Sequence, residues 1–262
     1  MCIRLYTSIL IIIFSSTCFA EIIDISSAIN KAGRQRMLTQ RMLKSYAMAG
    51  LDIQKDESTK QLNSAVHLFD TQLKELNDFA TDSNIKAALQ HVENLWHPFK
   101  AIILKPADKH IALELIESND QLLRATHKVV LLLQDMSGTS YGRLVNISGR
   151  QRMLSQRLAK FYMLRTWGID NSEITDESER AMNEFRGAMV ELTNAPENTP
   201  QIKQTLTDAE AQWQLLYHGL KRDSQTMIPL IVSMTSEKLL KEMNDITGMY
   251  ESLYTSQMTA KN

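Results

Sequence analysis

Gly33 to Lys44 reads GRQRMLTQRMLK, and 116 positions later Gly149 to Lys160 reads GRQRMLSQRLAK, with nine of the twelve residues the same. Each copy sets arginines among methionines and leucines and contains no acidic residue. The register persists beyond the block. Phe69, Leu73 and Leu76 correspond to Phe185, Met189 and Leu192 at the same offset of 116. After a one-residue slip in the loop from Asn194 to Pro200, Trp96 corresponds to Trp213, and Leu122 and Leu123 to Leu239 and Leu240. A whole unit has therefore been duplicated. At about 117 residues it is too long for a solenoid repeat and suits a small self-contained domain.

Within each unit the apolar residues recur alternately at three and four positions, the spacing that keeps one helical stripe against its neighbours. Leu62, Val66, Phe69, Leu73, Leu76 and Ala80 form one stripe, and Ile85, Leu89, Val92, Trp96, Phe99 and Ile103 a second. Ile111, Leu115, Leu122, Ala125, Val129, Leu132 and Met136 form a third. The second unit answers with Ile202, Leu206, Ala209, Trp213, Leu216 and Leu220, then Val232, Leu239, Met243, Ile246 and Leu253. No segment alternates with period two, so the expected fold is all-α: two tandem up-and-down four-helix bundles. Turns are expected at Gly50-Leu51-Asp52, Ala80 to Ser83, Leu104 to Asp108, Gly168 to Ser172 and Asn194 to Pro200, with Thr199-Pro200 as a helix start. Pro98 and Pro229 mark kinks or ends. Between Asp108 and Gly168 only Gly138, Gly142 and Gly149 interrupt the pattern. A long helix shared by the two units, about 90 Å at 1.5 Å per residue, is expected there.

The first twenty residues carry one basic side chain, Arg4, an apolar run from Ile9 to Phe14 and small residues up to Ala20, the pattern of a cleaved secretory leader. The run is short for a spanning helix, which needs about 20 apolar residues. The expected organisation is a signal peptide over 1–20, a first bundle over 21–137 and a second over 138–262, periplasmic and soluble after cleavage. Cys2 and Cys18 both lie in the leader, leaving the remainder without a thiol for a disulfide or a metal. The six histidines, His67, His91, His97, His110, His127 and His218, lack ligand spacing, so no metal or other cofactor is expected. No nucleophile-base pair, phosphate loop or paired-carboxylate motif is present, and the chain reads as a non-enzyme.

Charge is nearly balanced, with 29 basic against 30 acidic residues, but it is unevenly placed. Ile25 to Leu51 holds five Lys/Arg and Met136 to Ile169 six, with no Asp or Glu in either stretch. The rest of the surface is acidic, which argues against a nucleic-acid partner. On a helical wheel Arg36 stands on an apolar stripe with Ile29, Ala32, Leu43 and Ala47, and Arg152 repeats this among Val145, Ser148, Ala159 and Met163. Arg34 and Arg41, like Arg150 and Arg157, lie on another face, so each motif helix is expected to be contacted on more than one side. A guanidinium taken out of water without a counter-ion costs several kcal/mol. Two counter-ions are open: an internal carboxylate, or an oxyanion from solution held by the planar fork. Gly33 and Gly149, read as lying near helix starts, permit close backbone approach. The fourteen methionines fit core filler, though Met37, Met42 and Met48 near the arginines could line an adaptable contact.

Asn30-Lys31-Ala32-Gly33 followed by Arg36-Met37 and Arg41 resembles the periplasmic signature of NarX-type nitrate and nitrite sensor kinases. The fuller GRQRML(S/T)QR string is similar to the N-terminal sensory domain of type IV pilus methyl-accepting chemotaxis transducers, the PilJ type. The resemblance implies a helical bundle whose first helices pair around a small anion such as nitrate or nitrite, held by the arginine of the Arg-Met pair, here Arg36 and Arg152. It brings in Asn30, Lys31 and Gly33, with Asn146 and Gly149, as helix-start residues of the site, and Arg34 and Arg150 in support. The chain departs from the nitrate sensors' Gly-Ser-Leu-Arg-Met by reading Gly-Arg-Gln-Arg-Met in both copies, and Ile147 stands where the second copy would carry the lysine.

The function expected is therefore an oxyanion-binding sensor for signal transduction in chemotaxis or type IV pilus control. It would signal through a partner, either a membrane receptor or kinase lacking its own sensor or a second copy of itself. The other reading is a structural or interaction module of a pilus or receptor complex that binds nothing small. If one rigid helix joins the units end to end, the two motif helices cannot meet within one chain.

Overall fold

The computed structural model describes residues 22–222 and 228–261. The expected leader over 1–20 lies outside them. Eight helices and no strand occur among the described residues: α1 (Ile25–Gly50), α2 (Lys55–Phe79), α3 (Ser83–Ile103), α4 (Lys109–Ser137), α5 (Ser140–Thr166), α6 (Ser172–Thr193), α7 (Pro200–Leu220) and α8 (Pro229–Lys261). The all-α bundle reading holds.

Most starts are fixed by short polar side chains that accept from amides the first turn leaves unpaired. Asp24 caps α1 through Ser27 in a capping box, Asp82 caps α3, Asp108 α4, Thr139 α5 and Asn171 α6. Thr199 caps α7 with Pro200 in its first turn, where a missing N–H costs nothing. Pro98 sits inside α3 without ending it, and Pro229 opens α8.

The long shared helix does not form. Gly138 closes α4 in the left-handed region at φ 59°, and the extended Thr139 restarts the chain as the cap of α5. A residue without Cβ enters that conformation at little cost, and the following cap satisfies the new helix's amides. Gly142 and Gly149 stay helical inside α5. The break lets the second unit fold back beside the first.

α1 packs on α2 and α4, and α3 on α4; α5 packs on α6 and α8, and α7 on α8. The most extensive helix pair in the molecule, however, joins the two sets: α1 lies along α5. Of the 26 residues of α1, 21 are buried, as are 19 of the 27 in α5, so the two motif helices form the centre of an eight-helix assembly. They run parallel and in register, since Gly50 meets the ring of Trp167 at one end and Ile29 meets Gly142 at the other.

The peripheral stripes pack as their spacing predicts. Phe69 stacks on Trp96 with ring centres 4.1 Å apart, and Phe185 on Trp213 at 4.2 Å, each pair tying two helices of one bundle. The end of the third stripe differs: Met136 is 48% exposed, and Val130 and Leu133 take the buried positions because the helix stops one residue after Met136. In α8, Tyr250 and Tyr254 are buried, while the expected Leu253 is only half-buried.

Candidate functional site

Arg36 and Arg152 are both fully buried. Each reaches across the seam between the motif helices. Arg36 Nη2 donates to the carbonyl of Asn146 on α5 at 3.2 Å, and Arg152 Nη2 donates to the carbonyl of Asn30 on α1 at 3.1 Å. The remaining terminal nitrogens turn to the fourth helix of each bundle: Arg36 Nη1 lies 3.0 Å from His127 Nδ1, and Arg152 Nη1 donates to Asn244 Oδ1 at 3.0 Å. The four contacts obey one approximate two-fold relation, with His127 and Asn244 at equivalent places.

The glycines of the motif make this crossing possible. A methyl group on Gly33 would lie 3.3 Å from Nη2 of both arginines, and one on Gly149 would lie 3.0 Å from Nη2 of Arg152. Both guanidinium ends therefore converge on one place, against bare backbone. Gly33 is two turns into α1 and Gly149 two turns into α5, so neither stands at a helix start and their amides are not end-of-helix donors. Asn30, Lys31 and Asn146 are likewise inside their helices. Their glycine neighbours supply room rather than an N-terminal anion cradle.

Electrostatically the pair is unfavourable. Burial lowers the pKa of Arg36 to about 9, with Arg150 adding to the effect and Glu184 opposing it. Burial also lowers that of Arg152, reinforced by Arg34 and Arg36 and opposed by Glu251. Guanidiniums stay protonated at neutral pH, so the two like charges persist side by side. Among the described residues neither makes an ion pair with a carboxylate: their partners are carbonyls, a carboxamide and a histidine. The Nε–H of each is buried without a partner. His127 feels both effects, its pKa lowered to about 4 by burial and then by Arg36 and Arg150, so it is neutral and accepts from Arg36.

The structure gathers Arg36, Arg152, Gly33, Gly149 and the backbones of Asn30 and Asn146. Arg34 touches the same group, its Nη2 3.4 Å from Asn244 Oδ1. Other candidates point elsewhere. Lys31 pairs with Glu75 on α2 at 2.5 Å, and Arg150 pairs with Glu184 on α6. The side-chain amide of Asn30 donates to Glu251 and that of Asn146 to Gln134 at 2.6 Å, away from the guanidiniums. Two partners of the arginines, His127 and Asn244, are not marked by the sequence as members of the site. The offset of 117 already aligned them, but nothing in their own neighbourhood separates them from ordinary surface positions.

A second polar layer crosses the seam about two turns further along. Lys44 on α1 is fully buried and pairs with Glu237 on α8, which Arg41 also reaches at 2.5 Å. Its counterpart Lys160 on α5 pairs with Asp120 on α4 at 3.4 Å and donates to Asn119 at 3.2 Å. Each motif lysine thus finds its carboxylate in the other bundle.

The family model described as type IV pili methyl-accepting chemotaxis transducer N-term, PilJ, matches residues 24–125 and again residues 137–245. The chain belongs to the PilJ family. No curated protein and no solved structure matches it. The two PilJ matches contain the two copies of the motif, and the first helix of one repeat packs on the first helix of the other within a single chain. Pairing of the motif helices in this PilJ-family protein therefore requires no second molecule. No helix among the described residues is long and apolar enough to cross a membrane.

Proposed function

We propose that this PilJ-family chain is an exported, non-catalytic sensor that binds a small oxyanion, of nitrate or nitrite type, between α1 and α5 and reports occupancy to a partner protein. The observation that carries the reading is the pair of buried guanidiniums converging beside Gly33 and Gly149, neither in an ion pair with a carboxylate among the described residues. Like charges whose Nη2 atoms both stand 3.3 Å from one point beside Gly33 repel each other, and the dry surroundings screen that repulsion less than water does. An oxyanion shared by Arg36 and Arg152 removes that repulsion and gives their Nε–H groups an acceptor. Because the arginines arise from different repeats, occupancy is linked to the spacing of α1 and α5 and hence of the two bundles. A periplasmic location follows from the leader, and the partner is a membrane receptor or kinase of a chemotaxis or type IV pilus complex.

The crossed hydrogen bonds favour a second reading, an interaction module in which Arg36 and Arg152 serve to staple the bundles. Titration calorimetry with nitrate, nitrite and sulfate separates the two. The wild type is expected to give saturable heat with at least one of them, and the Arg36→Ala/Arg152→Ala variant none. No heat from the wild type with all three rejects the sensor in favour of the staple.

A further inference from the structure

The repeats differ most tellingly on the outer side of the bundles, where the two stacked tryptophans sit. In the first repeat, Trp96 Nε1 donates to Asp70 Oδ1 at 2.7 Å, and the other oxygen of Asp70 accepts from Lys100 at 2.6 Å. A carboxylate on α2 thus caps the indole N–H and is neutralised by a lysine on α3. The second repeat keeps the tryptophan and its stacking partner, Phe185, but replaces both other members: Arg186 stands in place of Asp70 and Tyr217 in place of Lys100.

The consequences are an exposed groove and an indole N–H that no acceptor among the described residues caps. Between α6 and α7 runs a groove of about 570 Å³, lined among others by Arg186, Met189, Val190, Trp213, Gln214 and Tyr217. This falls within the usual range for small-molecule sites, about 300–1,000 Å³. Trp213 lines the groove, and its indole N–H, which makes no hydrogen bond to another described residue, is not sealed from solvent. Arg186 has no ion pair among them either. Its position, equivalent to that of Asp70, puts a cation next to the place where the first repeat holds a carboxylate. Water meets this open N–H in the free protein, and a carboxylate entering the groove replaces it with a charge-assisted bond, the stronger kind. Tyr217, its ring centre 5.8 Å from that of Trp213, extends the aromatic wall, and Lys221 lies 5.9 Å above it. Glu210 is the acidic residue on the rim; it accepts from Gln214 at 2.6 Å.

We infer that the α6/α7 groove is a second ligand site, specific for a small organic carboxylate with an apolar body. Its carboxylate bridges Trp213 Nε1 and Arg186 as Asp70 bridges Trp96 and Lys100. The apolar body lies along Met189, Val190 and Tyr217. A guanidinium suits this place because it binds carboxylate oxygens in pairs. The first repeat supplies its own carboxylate and so leaves no such vacancy for a ligand. The duplicated protein then carries one closed and one open version of the same pocket.

The test follows the indole N–H resonance of Trp213 in ¹⁵N-labelled full-length protein during titration with acetate, succinate and phenylacetate, and with neutral 2-phenylethanol as control. At least one carboxylate is expected to shift that resonance saturably at millimolar concentration, with 2-phenylethanol at least tenfold weaker. Arg186→Asp recreates the first repeat's arrangement at an exposed position, and with Tyr217→Lys completes it. This double variant is expected to move the Trp213 resonance towards that of Trp96 and to weaken carboxylate binding at least tenfold, leaving the thermal midpoint within a few degrees of wild type. No saturable shift with any of the three acids up to about 10 mM, equal binding of 2-phenylethanol, or undiminished binding by the double variant overturns the assignment.

Discussion

At the scale of single residues, an unfavourable feature of the fold is two guanidiniums that share one dry place. Arg36 and Arg152 are held there by each other's helix, through the carbonyls of Asn146 and Asn30, and by His127 and Asn244. The two-fold relation breaks only in the last pair, and that difference is measurable. His127 titrates near 4 in the folded chain because burial and the arginines oppose its charging, against an ordinary value of 6.5. The unfolded chain therefore takes up a proton at this residue as pH falls through 6.5, while the folded chain resists until about 4. Stability contributed by neutral His127 is complete above pH 6.5 and is lost progressively down to about 4. His127→Asn, which copies the second repeat, is expected to remove this slope, so thermal midpoints of variant and wild type should converge or cross between pH 7.5 and 4.5. Parallel midpoint curves over that range contradict the assignment. The arginines were legible from the sequence because an apolar stripe bearing one cation is rare. Their bonding partners were not, since a carbonyl across a helix seam leaves no trace in its own residue type.

At the scale of elements, helix ends were read well because they are decided locally. Asp24, Asp82, Asp108, Thr139, Asn171 and Thr199 all cap through their own side chains. The break at Gly138 was the exception. Apolar spacing continues past it, and a glycine inside such a pattern is compatible with either a helix or a left-handed end. What selects the end is the α1/α5 seam, which forms only if the chain reverses there. Gly138 at φ 59° has no neighbour within 4 Å of an added methyl group, so substitution probes the backbone alone. Gly138→Ala is expected to cost about 1 kcal/mol and to lower the thermal midpoint by about 2–4 °C, with Gly138→Asn costing less because asparagine tolerates this conformation. Equal midpoints for all three proteins would refute the role of this turn.

At the scale of the whole molecule, two bundles become one assembly through polar groups that each supplies to the other. Lys44 and Lys160 are completely buried, and burial lowers the pKa of Lys160 to about 8 against the opposing pull of Asp120. Burial likewise depresses that of Lys44, with Glu237 opposing. Removing one partner of such a pair is expected to be more damaging than removing both, because the survivor is left charged in a dry place. Glu237→Gln should therefore destabilise the protein by about 3 kcal/mol in urea unfolding, and Lys44→Met/Glu237→Gln should recover part of that loss. A double variant as unstable as the sum of its single changes shows instead that the pair is not coupled.

The sequence by itself determined the helices, their buried stripes and the duplication, since periodicity and capping act between residues within a few positions of each other. It also marked Arg36 and Arg152, because charge on an apolar face is visible in one dimension. Only the tertiary structure decided that the repeats fold back side by side, that each arginine and each buried lysine is bonded from the opposite repeat, and that Lys31 and Arg150 are drawn off to Glu75 and Glu184. Those outcomes depend on which helix lies against which. That choice is made by burying α1 along α5 over most of its length, an energy that no local pattern contains.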